Sequence, residues 1–276
     1  MVTYYGIIIL VISNSSIIAD NFSTDLYWST AYAAVLLVCP INRTIYGDDM
    51  DMPISPPDEP LADVEVGIKK ALSALIDGAP SAALVREAMT ELSQAELSSL
   101  GVQQRDNWAS LSAPGRRLEW SEARRCEKAI RERLGGTAET SVAHTRKGER
   151  AYVFAIGALT AGPGGRSMAR VGIDVEHRSR QVTEAVARRF MRDGEERWGL
   201  EPLQIWVVKE ALFKADPENA GTTISAHSLV SFERSGQGIG QGMGSIAGRE
   251  ARFSLLQLAD WVVAVAVSRK PAQSES

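Results

Sequence analysis

Gly172-Ile173-Asp174-Val175-Glu176 is a short strand whose two faces differ in kind. Side chains alternate along an extended chain, so Val171, Ile173 and Val175 point one way and Gly172, Asp174 and Glu176 the other. Two carboxylates two residues apart then stand ~7 Å from each other on one face. A hard divalent cation can sit between such oxygens, and magnesium favours a site whose octahedron is completed by phosphates. Glycine beside them leaves room for a bulky ligand near the backbone. An ordinary solvated strand face has the same spelling, so the pair by itself leaves both readings open.

Downstream, Trp206-Val207-Val208-Lys209-Glu210-Ala211-Leu212-Phe213-Lys214 reads as a helix. Trp206, Glu210 and Phe213 share a stripe, with Lys214 one turn beyond Glu210. Glu210 is a candidate third carboxylate for a cation, with Lys209 and Lys214 as phosphate partners. A plain Glu–Lys pair four residues apart is the alternative, and it contributes only a few tenths of a kcal/mol.

Upstream, residues 114–134 form a long amphipathic helix ended by Gly135-Gly136. Trp120, Ala123, Ile130 and Leu134 fall on its apolar side. Arg117, Arg124, Lys128 and Arg131, with Arg116 beside them, make a basic stripe. Such a stripe is either a solvated surface or an anion site, since guanidinium forks match phosphate oxygens. The interleaved Glu119, Glu122 and Glu127 argue against a nucleic-acid helix. His144, in Ser141-Val142-Ala143-His144-Thr145, is placed just before a strand, and a lone histidine is more often structural than functional.

The remaining elements make the layout α+β. Helices are predicted at 64–76, at 93–100 with a Ser93/Glu96 capping box, at 183–198 and at 203–215. Strands are predicted at 151–159, 171–176, 229–233, 252–258 and 261–267. The glycine-rich stretch 235–248 never spells G-x-G-x-x-G and lies between two strands, so it reads as a flexible hairpin loop.

Composition narrows the partners. A chain of 276 residues, 45% hydrophobic, suffices for one large core or two small ones. The net charge of -4 gives no global case for nucleic acid or membrane, so any anion site is local. Cys39 and Cys126 support neither a disulfide framework nor a zinc site. The histidines, His144, His177 and His227, are scattered, so no histidine metal cluster is expected, and together these counts favour a reducing, cytoplasmic setting. No lysine or arginine precedes Arg43. The apolar runs 6–12 and 31–38 are shorter than the ~20 residues of a spanning helix, and no basic n-region marks a signal peptide. The Asn-x-Ser/Thr triplets at Asn14, Asn21 and Asn42 read as chance. Asp48-Asp49-Met50-Asp51-Met52 and the proline-rich 53–60 read as a linker. Residues 1–52 are therefore expected to be an extension, or a start assigned upstream of Met50 or Met52. The expected halves are 53–170, with the basic helix and His144, and 171–276, with the metal site.

In this order the pieces resemble the 4′-phosphopantetheinyl transferase superfamily. Its pattern runs S-x-S-H-[ST], then G-I-D-[VI]-E, then W-x-x-K-E-A-x-x-K. Here stand Val142-Ala143-His144-Thr145, Gly172 to Glu176, and Trp206 to Lys214, while Arg116-Arg117-Leu118-Glu119-Trp120 through Arg124 and Lys128 is similar to the family's basic helix. The likeness covers about residues 92–267. Ala143 replaces the usual serine, and 135–140 is shorter than the family's connector.

The resemblance implies two similar α/β halves forming an intramolecular pseudo-dimer, as in the larger surfactin- and enterobactin-synthetase type, and a monomer. It implies transfer of 4′-phosphopantetheine from coenzyme A to a serine of an apo carrier protein, with release of 3′,5′-ADP. Asp174, Glu176 and Glu210 would hold magnesium. Arg116, Arg124, His144, Lys209 and Lys214 would bind coenzyme A. Glu210 and Lys214 would be catalytic, Glu210 as base, with Glu176 or a water on the metal as rivals. The alternatives are a non-catalytic relative that binds coenzyme A or a carrier protein, and a nucleic-acid binder built on 116–133.

Overall fold

Apolar alternation organises residues 61–269 around two antiparallel sheets, each covered by helices. The computed structural model describes residues 8–10, 35–37, 61–77, 79–136, 138–159, 168–235, 239–246, 248–258 and 260–269. The chain divides into two units, Met1–Ser55 and Pro56–Ser276. In the first, β1 (Ile8–Leu10) pairs antiparallel with β2 (Val35–Leu37). Cys39, the three Asn-x-Ser/Thr triplets and the linker 53–60 lie outside the described residues.

In the second unit, α1 (Leu61–Leu75) precedes β3 (Ser81–Glu87), α2 (Gln94–Ser99), α3 (Val102–Ser110) and α4 (Pro114–Leu134). Then follow β4 (Ala138–Lys147), β5 (Arg150–Leu159), β6 (Met168–His177), α5 (Glu184–Phe190) and α6 (Pro202–Ala215). Strands β7 (Ser228–Arg234), β8 (Ile239–Ile246), β9 (Arg249–Gln257) and β10 (Trp261–Arg269) complete it. The smaller sheet runs β3-β5-β4 and the larger β6-β10-β9-β8-β7.

Both sheets turn one face to a shared core. Val64, Ile68 and Leu72 of α1 meet Val85, Phe154 and Ile156 of the smaller sheet and Ile173, Val175 and Val265 of the larger. The opposite faces are covered separately. Ala123, Cys126 and Ile130 of α4 pack on Leu84, Val153 and Ala155. Val208, Ala211 and Leu212 of α6 pack on Phe253, Ala264 and Ala266. Strand β4 runs beside β6, and side chains stitch the seam: Ile173 N donates to Ser141 Oγ at 3.2 Å, and Thr145 Oγ1 to Glu176 Oε2 at 3.2 Å.

The capping box forms as expected, with Glu96 N donating to Ser93 Oγ at 3.3 Å and Ser93 N to Glu96 Oε2 at 2.8 Å. Elsewhere the structure corrects the expectations. The stretch read as a flexible glycine loop contains β8, in which Gly240, Gly242 and Gly244 face neighbouring side chains. A Cβ on them would strike the Phe232 ring, Ser231 O with the Phe253 ring, and Leu212 respectively. The helix expected over 183–198 ends at Phe190. After Gly194, at φ 84°, only a 3-10 turn at Glu195–Trp198 follows. His144 lies inside β4 rather than before a strand, and β3, β4 and α3 were not foreseen. On α4 the buried side includes Glu119, while Trp120 is only half-buried under the Arg124 guanidinium, at 5.2 Å.

Gly172 also has a different use from the one its spelling suggests. A Cβ there would sit 2.0 Å from Ala211 O and 2.7 Å from Ala215 N, so α6, and not a ligand, lies against it. Backbone atoms cannot swing aside as a flexible side chain can. Gly172→Ala is expected to cost about 1–3 kcal/mol, towards the upper end, as overpacking does. Urea unfolding measures it. Because α6 carries Glu210 and Lys214, turnover should fall with it.

Candidate active site at the β6–α6 contact

Close approach of α6 over Gly172 brings the polar face of β6 under the end of that helix. Lys214 Nζ donates to Asp174 Oδ1 at 2.8 Å and to Ile173 O at 3.0 Å. The other carboxylate oxygen, Asp174 Oδ2, is buried with no hydrogen-bond partner. Glu210 stands one turn before Lys214. Burial and then the charge of Asp174 push its carboxyl up to about 7, against the opposing pull of Lys214 and Arg180. Glu176 is already engaged: it accepts from Thr145 of β4 and from Arg180, whose guanidinium lies 5.6 Å over the Trp206 ring. Of the four expected residues, Asp174 and Glu176 thus stand on the strand and Glu210 and Lys214 on the helix packed over it, joined by the Lys214–Asp174 contact.

A second cluster adjoins it across the seam. Alternation along β4 turns Val142, His144 and Arg146 towards α4. Arg116 Nη1 donates to His144 Nε2 at 2.7 Å, which leaves the ring's proton on Nδ1. Desolvation by the surrounding protein holds the half-exposed imidazole below its ordinary value, Glu119 opposes this, and Arg116, Lys214 and Asp174 act on it more weakly. Those last two charges belong to the carboxylate cluster, so the two clusters lie within electrostatic reach of each other. Beneath His144, the buried Glu119 accepts from Arg146 Nε at 2.7 Å and lies 3.4 Å from Arg116 Nη1.

Two expected ligand-binding residues are placed elsewhere. Lys209 is a correction: it is wholly buried on the opposite side of α6. Its ammonium donates to Glu195 Oε2 at 2.7 Å and to Phe190 O at 2.6 Å. Glu195 also accepts from the backbone N–H of Arg192 and Leu229. The group is a structural tie joining α6, the end of α5 and the start of β7. Arg124, two turns along α4 from Arg116, is paired with Glu127 at 2.7 Å and stacked on Trp120. Conversely, Glu119, Arg146 and Arg180 join the site without having been singled out. Only alternation along β4, which pairs Arg146 with His144, carried a signal for any of them.

Among the described residues, no three His, Cys, Asp or Glu side chains stand close enough to form a ready metal cage. The donor set nevertheless fits a hard divalent cation in kind. Asp174 offers an orphaned buried oxygen, and Glu210 is a carboxyl whose proton is retained by burial first and then by the charge of Asp174. A cation would relieve both. Among the described residues no helix is long and apolar enough to cross a membrane.

Carboxylates facing a lysine across a strand–helix contact, with a basic cluster alongside, have the charges that phosphate oxygens and a hard cation call for. The family model of the 4′-phosphopantetheinyl transferase superfamily matches residues 170–266, which contain most of β6, all of α6, and Asp174, Glu176, Glu210 and Lys214. That part of the chain is thus similar to a domain of this superfamily. The match begins after β4 and α4, so it does not reach Arg116, Arg124 or His144. No curated protein matches the chain.

Proposed function

We propose that the chain transfers the 4′-phosphopantetheine arm of coenzyme A to the serine of an apo carrier protein and releases 3′,5′-ADP. The observation that carries this reading is the Lys214–Asp174 contact at 2.8 Å, one turn from Glu210 and with Asp174 Oδ2 buried and unpartnered, within the segment that the transferase superfamily's model matches. The carrier serine Oγ attacks the phosphorus that bears the pantetheine arm. The bond from that phosphorus to the bridging oxygen breaks, and the electron pair leaves with 3′,5′-ADP. Glu210, at the edge of the carboxylate site, takes the serine proton as general base. Lys214, and His144 with Arg116 across the seam, offset the charge of the phosphates. Asp174, Glu176 and Glu210 are the residues that would hold magnesium, which when bound neutralises pyrophosphate charge. In this reading 53–170 and 171–276 are the two halves of a pseudo-dimer acting as a monomer.

Chelation tests the cation requirement. With excess EDTA, modification of an apo carrier protein should stop, and added magnesium should restore it. Transfer that continues at full rate in EDTA contradicts the assignment of Asp174, Glu176 and Glu210 as ligands.

A further inference from the structure

Glu119 is a carboxylate set under three exposed nitrogen groups. Its side chain is 5% exposed, whereas those of Arg116, Arg146 and His144 are 49%, 50% and 48% exposed. It holds Arg146 through Nε at 2.7 Å and lies 3.4 Å from Arg116 Nη1 and 3.7 Å from His144 Nε2. Arg116 and His144 are tied to each other at 2.7 Å. Arg146 is further pinned across the first turn of α4, since a Cβ on Gly115 would sit 2.2 Å from its terminal nitrogen. Nothing larger than hydrogen fits there without moving the guanidinium. One carboxylate faces two guanidiniums that cannot lose their protons, so the cluster keeps a net positive charge. The buried member is negative and the open members point outward. A solvated salt bridge would have both partners exposed.

We infer that Glu119 is a positioning residue that aims Arg116, Arg146 and His144 at a phosphate on the nucleotide end of the donor, with Arg146 a further binding residue. The inference rests on the transferase reading for the identity of the donor. The cluster adjoins Asp174 and Lys214 through the β4–β6 seam, so a nucleotide phosphate held here leaves the remainder of the donor near the carboxylates. Glu119 touches no reacting atom, and its effect passes through the three groups it orients.

The test uses the full chain and adenosine 3′,5′-bisphosphate as probe, with binding read by calorimetry. Glu119→Gln keeps the side-chain volume and removes the charge. The dissociation constant of the bisphosphate should rise about tenfold, and the KM for coenzyme A by a similar factor, with kcat held within about twofold. Arg146→Met alters an exposed side chain and should shift binding in the same direction, which keeps the test valid if Glu119→Gln folds poorly. Wild-type affinity in both variants overturns the inference, as does a fall in kcat with KM unchanged. The two readings fail separately. A wild-type protein that binds the bisphosphate but modifies no carrier refutes the transferase reading and leaves the positioning role in force. One that modifies the carrier while both variants bind normally does the reverse.

Discussion

Replacing Glu210 with glutamine is expected to lower kcat by ~10²–10⁴-fold, the contribution typical of a positioned base, and saturating magnesium should not restore it. The amide keeps the shape of the side chain and one oxygen donor but cannot take the serine proton. Asp174→Asn is the contrast. It weakens a cation site and the Lys214 contact, so its rate should be recovered in part by added magnesium. Kinetics against magnesium at saturating coenzyme A separate the two. Full recovery of Glu210→Gln would move the base to Glu176 or to water.

The same substitution has a signature that needs no turnover. The Glu210 carboxyl, at about 7 in the folded chain against an ordinary 4.5, binds its proton more tightly folded than unfolded. Its stabilising contribution is therefore complete below 4.5 and is lost as pH rises through about 7. Glutamine does not titrate. Without added metal, Glu210→Gln should exceed the wild type in stability above pH 7, by at most about 3 kcal/mol. Urea unfolding at pH 5 and pH 8 measures this, and equal differences at the two values would contradict it.

Lys209→Met is expected to destabilise the fold by about 3–5 kcal/mol, because it leaves the Glu195 carboxylate buried without its counter-charge. Burial already holds the Lys209 ammonium below its ordinary value, which the ion pair with Glu195 opposes. Removing both charges, as Lys209→Met with Glu195→Leu, should recover much of the loss. The folded fraction of either variant should keep a KM for coenzyme A within about twofold of wild type. A KM raised tenfold with stability intact would mean that Lys209 reaches the donor after all.

How much of this was legible in the sequence depended on whether a residue's partner lay nearby in the chain. The strand Gly172 to Glu176 and the helix around Glu210 declare themselves by local period, and their face-to-face meeting is what the structure adds. Strand β3 is buried on both faces, so Ala82 to Val85 shows no alternation that would distinguish a strand from a helix. Strand β4 carries His144, Thr145 and Arg146, polar for reasons that lie on α4 and β6. The glycines of β8 look like a loop until Phe232, Phe253 and Leu212 are seen against them. Lys209 and Lys214 sit five residues apart in one motif, yet one faces Glu195 and the other Asp174. Spelling alone cannot separate two lysines whose difference lies in which side of α6 each occupies.

The central claim, arm transfer at the β6–α6 contact, is tested most directly by the intact mass of an apo carrier protein. The carrier is incubated with the full chain, coenzyme A and magnesium, and a panel of fatty-acid, polyketide and peptide-synthesis carriers supplies the acceptor. The account predicts that at least one carrier gains the mass of one phosphopantetheine on its serine, with wild-type protein and not with Glu210→Gln over the same interval. Unchanged masses across the whole panel with wild-type protein, under conditions in which it binds coenzyme A, would contradict it.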